Sequence, residues 1–135
     1  MHATNLSSLT LNKAGNSGSY TSDDWTSNIN LAKNAGIDGF IMNIAPNTYQ
    51  LSQQLDNVYA AAQAIGGFNI FMSFDYLGGS EAWAPSDVES LINTYKGHSA
   101  QYLYNGVPAV TTFEGTANTG DWPGIKDNTG GLFFM

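Results

Sequence analysis

The sequence predicts an α/β protein built on a parallel sheet. Three stretches with apolar residues at helical spacing alternate with short runs that are apolar at almost every position, and glycines end the helical stretches. Strands that are apolar on both faces are typical of parallel sheets, because the helices that join successive strands cover those faces. Each strand, helix and following strand is therefore expected to form a right-handed unit.

The first helix is expected in the stretch SDDWTSNINLAKNAG, at residues 22–36. Ser22 suits the N-cap position, the two aspartates after it favour the positive end of the helix dipole, and Gly36 suits the C′ position. One face of this helix is apolar because of Trp25, Ile29 and Ala32. A nearly all-apolar strand, IDGFIMNI, follows at residues 37–44.

The same order of helix and strand occurs twice more. The second helix, TYQLSQQLDNVYAAAQAIGG, precedes the strand FNIFMSF at residues 68–74, and the third helix, APSDVESLINTYKG, precedes VPAVTTF at residues 107–113. Pro85 falls in the first turn of the third helix, where proline is well tolerated. The apolar faces of these helices consist of Leu51, Leu55, Val58 and Ala62, and of Val88, Leu91, Ile92 and Tyr95. We expect the three strands to be parallel neighbours in one sheet, and a last apolar run, GLFFM, ends the sequence.

Two architectures fit this pattern, namely an open doubly wound sheet and part of a (β/α)8 barrel. A nucleotide-binding doubly wound sheet carries a glycine-rich phosphate loop after its first strand. Neither G-x-G-x-x-G nor G-x-x-x-x-G-K occurs in this sequence. The missing motif argues against a nucleotide site, whereas the local pattern leaves both architectures open.

The charge and composition exclude several classes of partner. The 135 residues, about the size of one domain or a piece of one, carry a formal net charge of −7 with only 4 Lys and Arg. No basic patch is available to bind nucleic acid or an anionic membrane surface. Aromatic residues (13%) outnumber charged residues (11%), a balance typical of a folded, secreted-type protein with a neutral polar ligand such as a sugar.

The sequence predicts neither a metal site nor a cofactor. It contains no cysteine, and its two histidines, His2 and His98, lie far apart without a partner at ligand spacing. The first twenty residues contain neither the pattern of an export signal nor an apolar run long enough to cross a membrane.

Polar residues stand where each predicted strand ends. Asn43 lies near the end of the first strand, Asp75 and Tyr76 follow the second, and Glu114 follows the third. The carboxyl ends of parallel strands open on one face, where ligands bind, so these side chains are expected to face the same mouth. Neighbouring strands lie about 4.8 Å apart, which brings two acids within the separation that glycoside hydrolysis requires.

Each of these residues also has a structural interpretation. Asp75 and Glu114 can cap the backbone turns that follow their strands, and asparagine is a common turn former in the position of Asn43. Asp121 and Trp122, in GDWPG, fit a turn as well as a ligand subsite.

Aromatic residues likewise allow two interpretations. Stacking on sugar rings and closing a core are both open to Trp83, Trp122, Tyr76 and Tyr104. Trp25 is expected in the core because of its helical position, and His98 is expected at the surface.

Four blocks carry a family resemblance: YTSDDWTSNINLAKNAGIDGFIMNI, FNIFMSFDYLGG, LINTYKGHSAQYLYNGVPAVTTFEG and GDWPGIKDNTGGLFF. In order and spacing they resemble the N-terminal part of glycoside hydrolase family 71, the fungal α-1,3-glucanases or mutanases, from about Gly15 to Met135. The resemblance implies a (β/α)8 barrel, of which this chain is roughly the first half, with outer helices. It also implies a secreted, extracellular enzyme that hydrolyses α-1,3-glucan of fungal cell walls.

The chain departs from the family pattern at both ends. Residues 1–14 form a divergent segment where the family has an export signal and a first strand, and residues 15–135 resemble the truncated N-terminal half of the barrel domain. Members of the family are about three times the length of this chain, as a barrel followed by a C-terminal β-rich region. The family's proposed acid and base lie in an NDYGE-like motif, and no such motif occurs here. The resemblance therefore leaves the catalytic residues outside this sequence.

By carry-over, the candidate site residues bind substrate rather than perform the chemistry; they are Asn43, Asp75, Tyr76, Glu114, Asp121 and Trp122. A non-catalytic carbohydrate-binding remnant is the alternative, and a stand-alone enzyme with Asp75 and Glu114 as its acid pair is a third interpretation. Open sheet edges predict self-association and a marginal fold.

Overall fold

A computed structural model describes residues 17–135 and contains strands that alternate with helices. The strands are β1 (Gly39–Ile44), β2 (Asn69–Asp75), β3 (Leu103–Tyr104), β4 (Val107–Phe113) and β5 (Phe133–Phe134). The α-helices are α1 (Ser22–Asn34), α2 (Leu51–Ile65), α3 (Pro85–Tyr95) and α4 (Trp122–Asn128). Short 3₁₀ turns occupy Ser17–Ser19 and Thr116–Asp121. The predicted divergent segment 1–14 and His2 lie outside the described residues.

The sheet confirms the predicted parallel order. Strand β1 pairs in parallel with β2, β2 with β4, and β4 with the short strand β5 formed by the last apolar run. The register aligns Asn43 with Ser73 and Asp75 with Phe113. Because these four strands run in the same direction, their carboxyl ends all lie at one edge of the sheet.

The sequence analysis missed strand β3, which forms an antiparallel hairpin with the start of β4. Asn105 and Gly106 connect the two with φ angles of 48° and 81°. Both angles lie in the left-handed region that a type I′ turn requires, and Asn-Gly is the pair that adopts it most readily. The dipeptide was therefore a usable hairpin signal.

The helices cover one face of the sheet. In β1, Met42 and Ile44 are buried in a single core with residues of all four helices, whereas Ile41 is 54% exposed and Asn43 is exposed. Phe113, at the end of β4, is also 54% exposed. A doubly wound sheet would carry helices on both faces, so one covered and one bare face is compatible with part of a barrel wall.

The helix ends follow the predicted chemistry, with one correction. Thr21, rather than Ser22, is the N-cap of α1, because its hydroxyl accepts from the Asp24 N–H (3.2 Å) while the Asp24 carboxylate accepts from the Thr21 N–H (2.8 Å). The reciprocal pair satisfies two N–H groups, which Ser22 would not do. Gly36 at C′ has φ 81° and Pro85 begins α3, both as predicted.

Two of the hydrogen-bonded polar groups within the core link distant parts of the chain. Trp25 is buried as predicted, and its indole N–H donates to Gln54 Oε1 at 2.9 Å. The Gln54 amide then donates to the carbonyl groups of Gly18 and Tyr20. In the second place, the Tyr59 hydroxyl donates to Gln101 Oε1 at 2.7 Å. These contacts tie the segments before α1 and before β3 to helix α2.

Within residues 17–135, no helix has both the length and the apolar character needed to span a bilayer.

Candidate functional site

Asn43 and Asp75 meet at the carboxyl edge of the sheet. Their strands are parallel neighbours, and the Asn43 side-chain amide donates to Asp75 Oδ2 at 3.0 Å. Asn43 is exposed and Asp75 is half-buried, so both side chains remain at the surface of the described part of the chain. Two of the predicted site residues therefore form one polar unit.

The second oxygen of Asp75 has a structural role. Oδ1 accepts a hydrogen bond from the backbone N–H of Leu77 at 3.0 Å. This contact is the turn-capping role that the sequence left open for Asp75. Because the two oxygens are held from different directions, the carboxylate has a fixed orientation, and each oxygen keeps a lone pair for a further donor.

A glycine pair allows the loop after β2 to fold over this carboxylate. A Cβ atom added to Gly78 would lie 2.7 Å from Asp75 Cγ and 3.0 Å from the Ala45 Cβ. At Gly79 the added atom would lie 3.0 Å from the Pro46 carbonyl oxygen. The loops after β1 and β2 are thus packed against each other around Asp75.

Glu114 lies at the same edge of the sheet, directly after β4. Asp75 and Phe113 are register partners, and the N–H of Tyr76 donates to the Phe113 carbonyl at 3.0 Å. Glu114 is exposed and has φ 57°, a left-handed conformation that is uncommon for glutamate. The three predicted strand-end residues share one edge, while their role in binding remains a prediction.

Tyr76 and Trp122 are buried beside this edge, with 2% and 8% of their surfaces exposed. Among the described residues, neither the Tyr76 hydroxyl nor the Trp122 indole N–H has a hydrogen-bond partner. Burial raises the pKa of Tyr76, and the charge of Asp121 raises it further, while the nearby indole N–H of Trp122 acts in the opposite direction. Neither ring offers an open face for stacking in this arrangement.

The other aromatic candidates also have structural partners. Trp83 is buried, its indole N–H donates to the Ile44 carbonyl at 3.3 Å, and its ring packs edge-on against Phe74. Tyr104 is 44% exposed and stacks on Phe133 with ring centroids 4.0 Å apart. Of the two interpretations left open by the sequence, Trp83 therefore fits the structural one, because it closes the core.

His98 differs from its predicted surface position. It is half-buried, its ring packs edge-on against Tyr59, and its Nδ1 accepts from the Ala100 N–H at 3.2 Å. Its location just after α3 gave no signal of that contact. In residues 17–135, no group of three or more His, Cys, Asp or Glu is placed to hold a metal ion.

The fold and the site define an α/β protein with a polar site at the carboxyl edge of a parallel sheet. Comparison with known proteins gives the family: glycosyl hydrolase family 71 matches residues 11–135, and the chain belongs to it. The resemblance seen in the sequence is thereby confirmed.

Two curated relatives are similar to the chain. A mutanase of Penicillium rubens is 33% identical over 113 residues, which are 82% of this chain and 24% of the mutanase. A glucan endo-1,3-alpha-glucosidase of Schizosaccharomyces pombe is 33% identical over 106 residues, 78% of this chain and 24% of that protein. The chain thus spans about a quarter of the length of these relatives. No solved structure gives a significant match.

Proposed function

We propose that this chain supplies part of the glucan-binding mouth of an α-1,3-glucanase, with Asp75 as the principal acceptor for sugar hydroxyl groups. The observation that carries the proposal is the hydrogen bond between Asn43 and Asp75 at the carboxyl edge of the sheet. We infer the substrate from the names of the two relatives, a mutanase and a glucan endo-1,3-alpha-glucosidase.

The chemistry of the edge suits a neutral sugar. A carboxylate accepts hydrogen bonds from hydroxyl groups more strongly than a neutral acceptor does. Asn43 occupies one lone pair of Asp75 and keeps its own amide oxygen as a second acceptor beside it. Glu114 and Asp121 add acceptors at the same end of the sheet, and the net charge of −7 disfavours anionic polysaccharides.

In this proposal the chain positions the glucan and leaves the proton transfers to other residues. The family resemblance places the acid and base in an NDYGE-like motif, and this sequence contains none. Holding the sugar ring in a fixed pose lowers the entropic cost of reaching the transition state. By the same resemblance, we place the whole enzyme outside the cell, at the fungal wall.

A non-catalytic carbohydrate-binding role is the second candidate, favoured by the missing motif. The two candidates differ in the turnover of the whole protein that contains this chain: a glucanase releases reducing sugar from α-1,3-glucan, whereas a binding protein only retains the glucan. A third, in which Asp75 and Glu114 form the acid pair, requires turnover that Asp75→Asn abolishes. We expect the 135-residue chain to bind α-1,3-linked oligosaccharides and release no reducing sugar.

The test compares Asp75→Asn with a matched control. Asp38→Asn removes one carboxylate from an exposed residue just before β1, at the opposite edge of the sheet. Isothermal titration with an α-1,3-linked glucose disaccharide should give roughly a tenfold weaker affinity for Asp75→Asn, because a hydrogen bond to a charged group is worth about 1.5–3 kcal/mol. Asp38→Asn should bind like the wild type. Equal affinities for all three proteins, or no binding by the wild type, would contradict the proposal.

A further inference from the structure

A polar cavity of about 280 Å³, half open to solvent, lies beside the candidate site and is separate from it. Its walls come from the loop after β1 with the first turn of α2, from the loop after β2, and from the first two turns of α3. None of the predicted site residues lines it. The volume is close to the lower end of the range for ligand pockets in proteins.

The lining combines acceptors with apolar surface. Glu81 and Asp87 contribute carboxylates that make no hydrogen bond or ion pair with other described residues, and Ser90 contributes a hydroxyl. Leu51 and Leu91 contribute apolar surface, and the buried Trp83 is also part of the lining. A sugar unit matches this mixture, because it presents hydroxyl donors at its rim and C–H groups on its faces.

Other ligand classes fit the lining less well. Two carboxylates repel an anion, and a purely apolar ligand would remove them from water without a partner. For a divalent metal, no group of three or more His, Cys, Asp or Glu is placed to hold one within residues 17–135. Among neutral ligands, a polyol is the class that fits both the carboxylates and the apolar surface.

The cavity is joined to the candidate site by packed backbone. Pro46 lines the cavity, and Gly79 packs against its carbonyl group. The neighbouring Gly78 packs against Asp75. The same two loops therefore border both the Asp75 site and the cavity.

We propose that this cavity is a second glucan-binding subsite, which holds a sugar unit of a chain whose other units lie at Asp75. The proposal rests on the proposed function and adds to it a site bordered by the same two loops. Short ligands fill the Asp75 site alone, and longer ligands occupy both.

The experiment measures how affinity grows with ligand length. Isothermal titration compares α-1,3-linked glucose oligosaccharides of two units with longer ones, for the wild type and for the double variant Glu81→Gln/Asp87→Asn. The double variant keeps the shape of the cavity and removes both charges. We expect the wild type to gain about tenfold in affinity with length, and the double variant to lose that gain while binding the disaccharide within about twofold of the wild type.

A second variant blocks the cavity with a large side chain, so that the test does not depend on charge removal alone. Ser90→Trp fills the cavity from α3 and should abolish the gain with length in the same way. Asp38→Asn, at the opposite edge, should retain it. A length-dependent gain that persists in both cavity variants overturns this inference alone, because binding at Asp75 would be intact. A wild type that binds no α-1,3-linked oligosaccharide overturns the proposed function and this subsite with it.

Discussion

Gly78 approaches Asp75 so closely that a side chain at position 78 has no room. A Cβ atom added to Gly78 would lie 2.7 Å from both Cγ and Oδ2 of Asp75, and Oδ2 is the oxygen that accepts the hydrogen bond from Asn43. The Asp75 side chain cannot simply rotate away, because Leu77 holds its other oxygen. The glycine after the strand therefore fixes where the carboxylate stands.

Gly78→Ala should displace the Asp75 carboxylate and break its bond to Asn43. Forcing an extra carbon into packed surroundings typically costs about 1–3 kcal/mol. We expect a loss of that size in the free energy of unfolding, measured by urea denaturation, together with about tenfold weaker disaccharide binding. Gly97→Ala is the control, because its Cβ would meet nothing within 4 Å. If Gly78→Ala bound the disaccharide with the affinity of the wild type, the position of the Asp75 carboxylate would not matter for binding.

Gln54→Ala should destabilise the start of the described chain. The substitution leaves the buried Trp25 indole N–H without its acceptor and frees the carbonyl groups of Gly18 and Tyr20. An unsatisfied buried polar group costs about 1–3 kcal/mol, so a loss in that range is expected on urea denaturation. Hydrogen exchange should speed up most in α1. Gln53→Ala changes the exposed neighbour and should cost little.

Tyr59→Phe should reduce the loss of stability at alkaline pH. Burial raises the pKa of Tyr59 well above its ordinary value, and the nearby Tyr95 raises it further. The unfolded chain releases this proton near pH 10 while the folded chain keeps it, so folding stability falls as the pH rises through that region. Tyr59 alone contributes a slope of about 1.4 kcal/mol per pH unit above pH 10.

The phenylalanine variant lacks that slope, although it also loses the hydrogen bond to Gln101 and should be less stable at neutral pH. Urea denaturation at several pH values between about 9 and 11 measures the difference. Tyr49→Phe removes a hydroxyl from a residue that is 78% exposed and should keep the wild-type slope. An identical slope for wild type and Tyr59→Phe would contradict the prediction.

Apolar residues at helical spacing predicted the helices, and runs that are apolar at almost every position predicted the parallel strands, because both leave a strong pattern in the sequence. The structure covers only one face of these strands with helices, which the pattern did not predict. The same reasoning placed Asn43 and Asp75 at one edge, since strand ends follow from the order of the elements. It could not predict the hydrogen bond between them, which depends on a register that no local pattern encodes. The sequence also could not predict that Tyr76 and Trp122 are buried, because an aromatic residue in a loop fits a core and a ligand site equally well.

The bare face of the sheet should make the 135-residue chain self-associate. Ile41 and Phe113 stand on this face with 54% of each side chain exposed, and no described helix covers them. Burying such surface between two copies is favourable by about 25 cal/mol per Å², while the net charge of −7 on each copy opposes contact. Because salt screens that repulsion, the apparent mass on size exclusion should rise between roughly 0.01 M and 1 M salt. The double variant Ile41→Thr/Phe113→Thr removes the apolar surface and places a residue of high strand propensity at both positions, so it should elute at a smaller apparent mass with little change in melting temperature. A wild type that stays monomeric at both salt concentrations would refute this prediction.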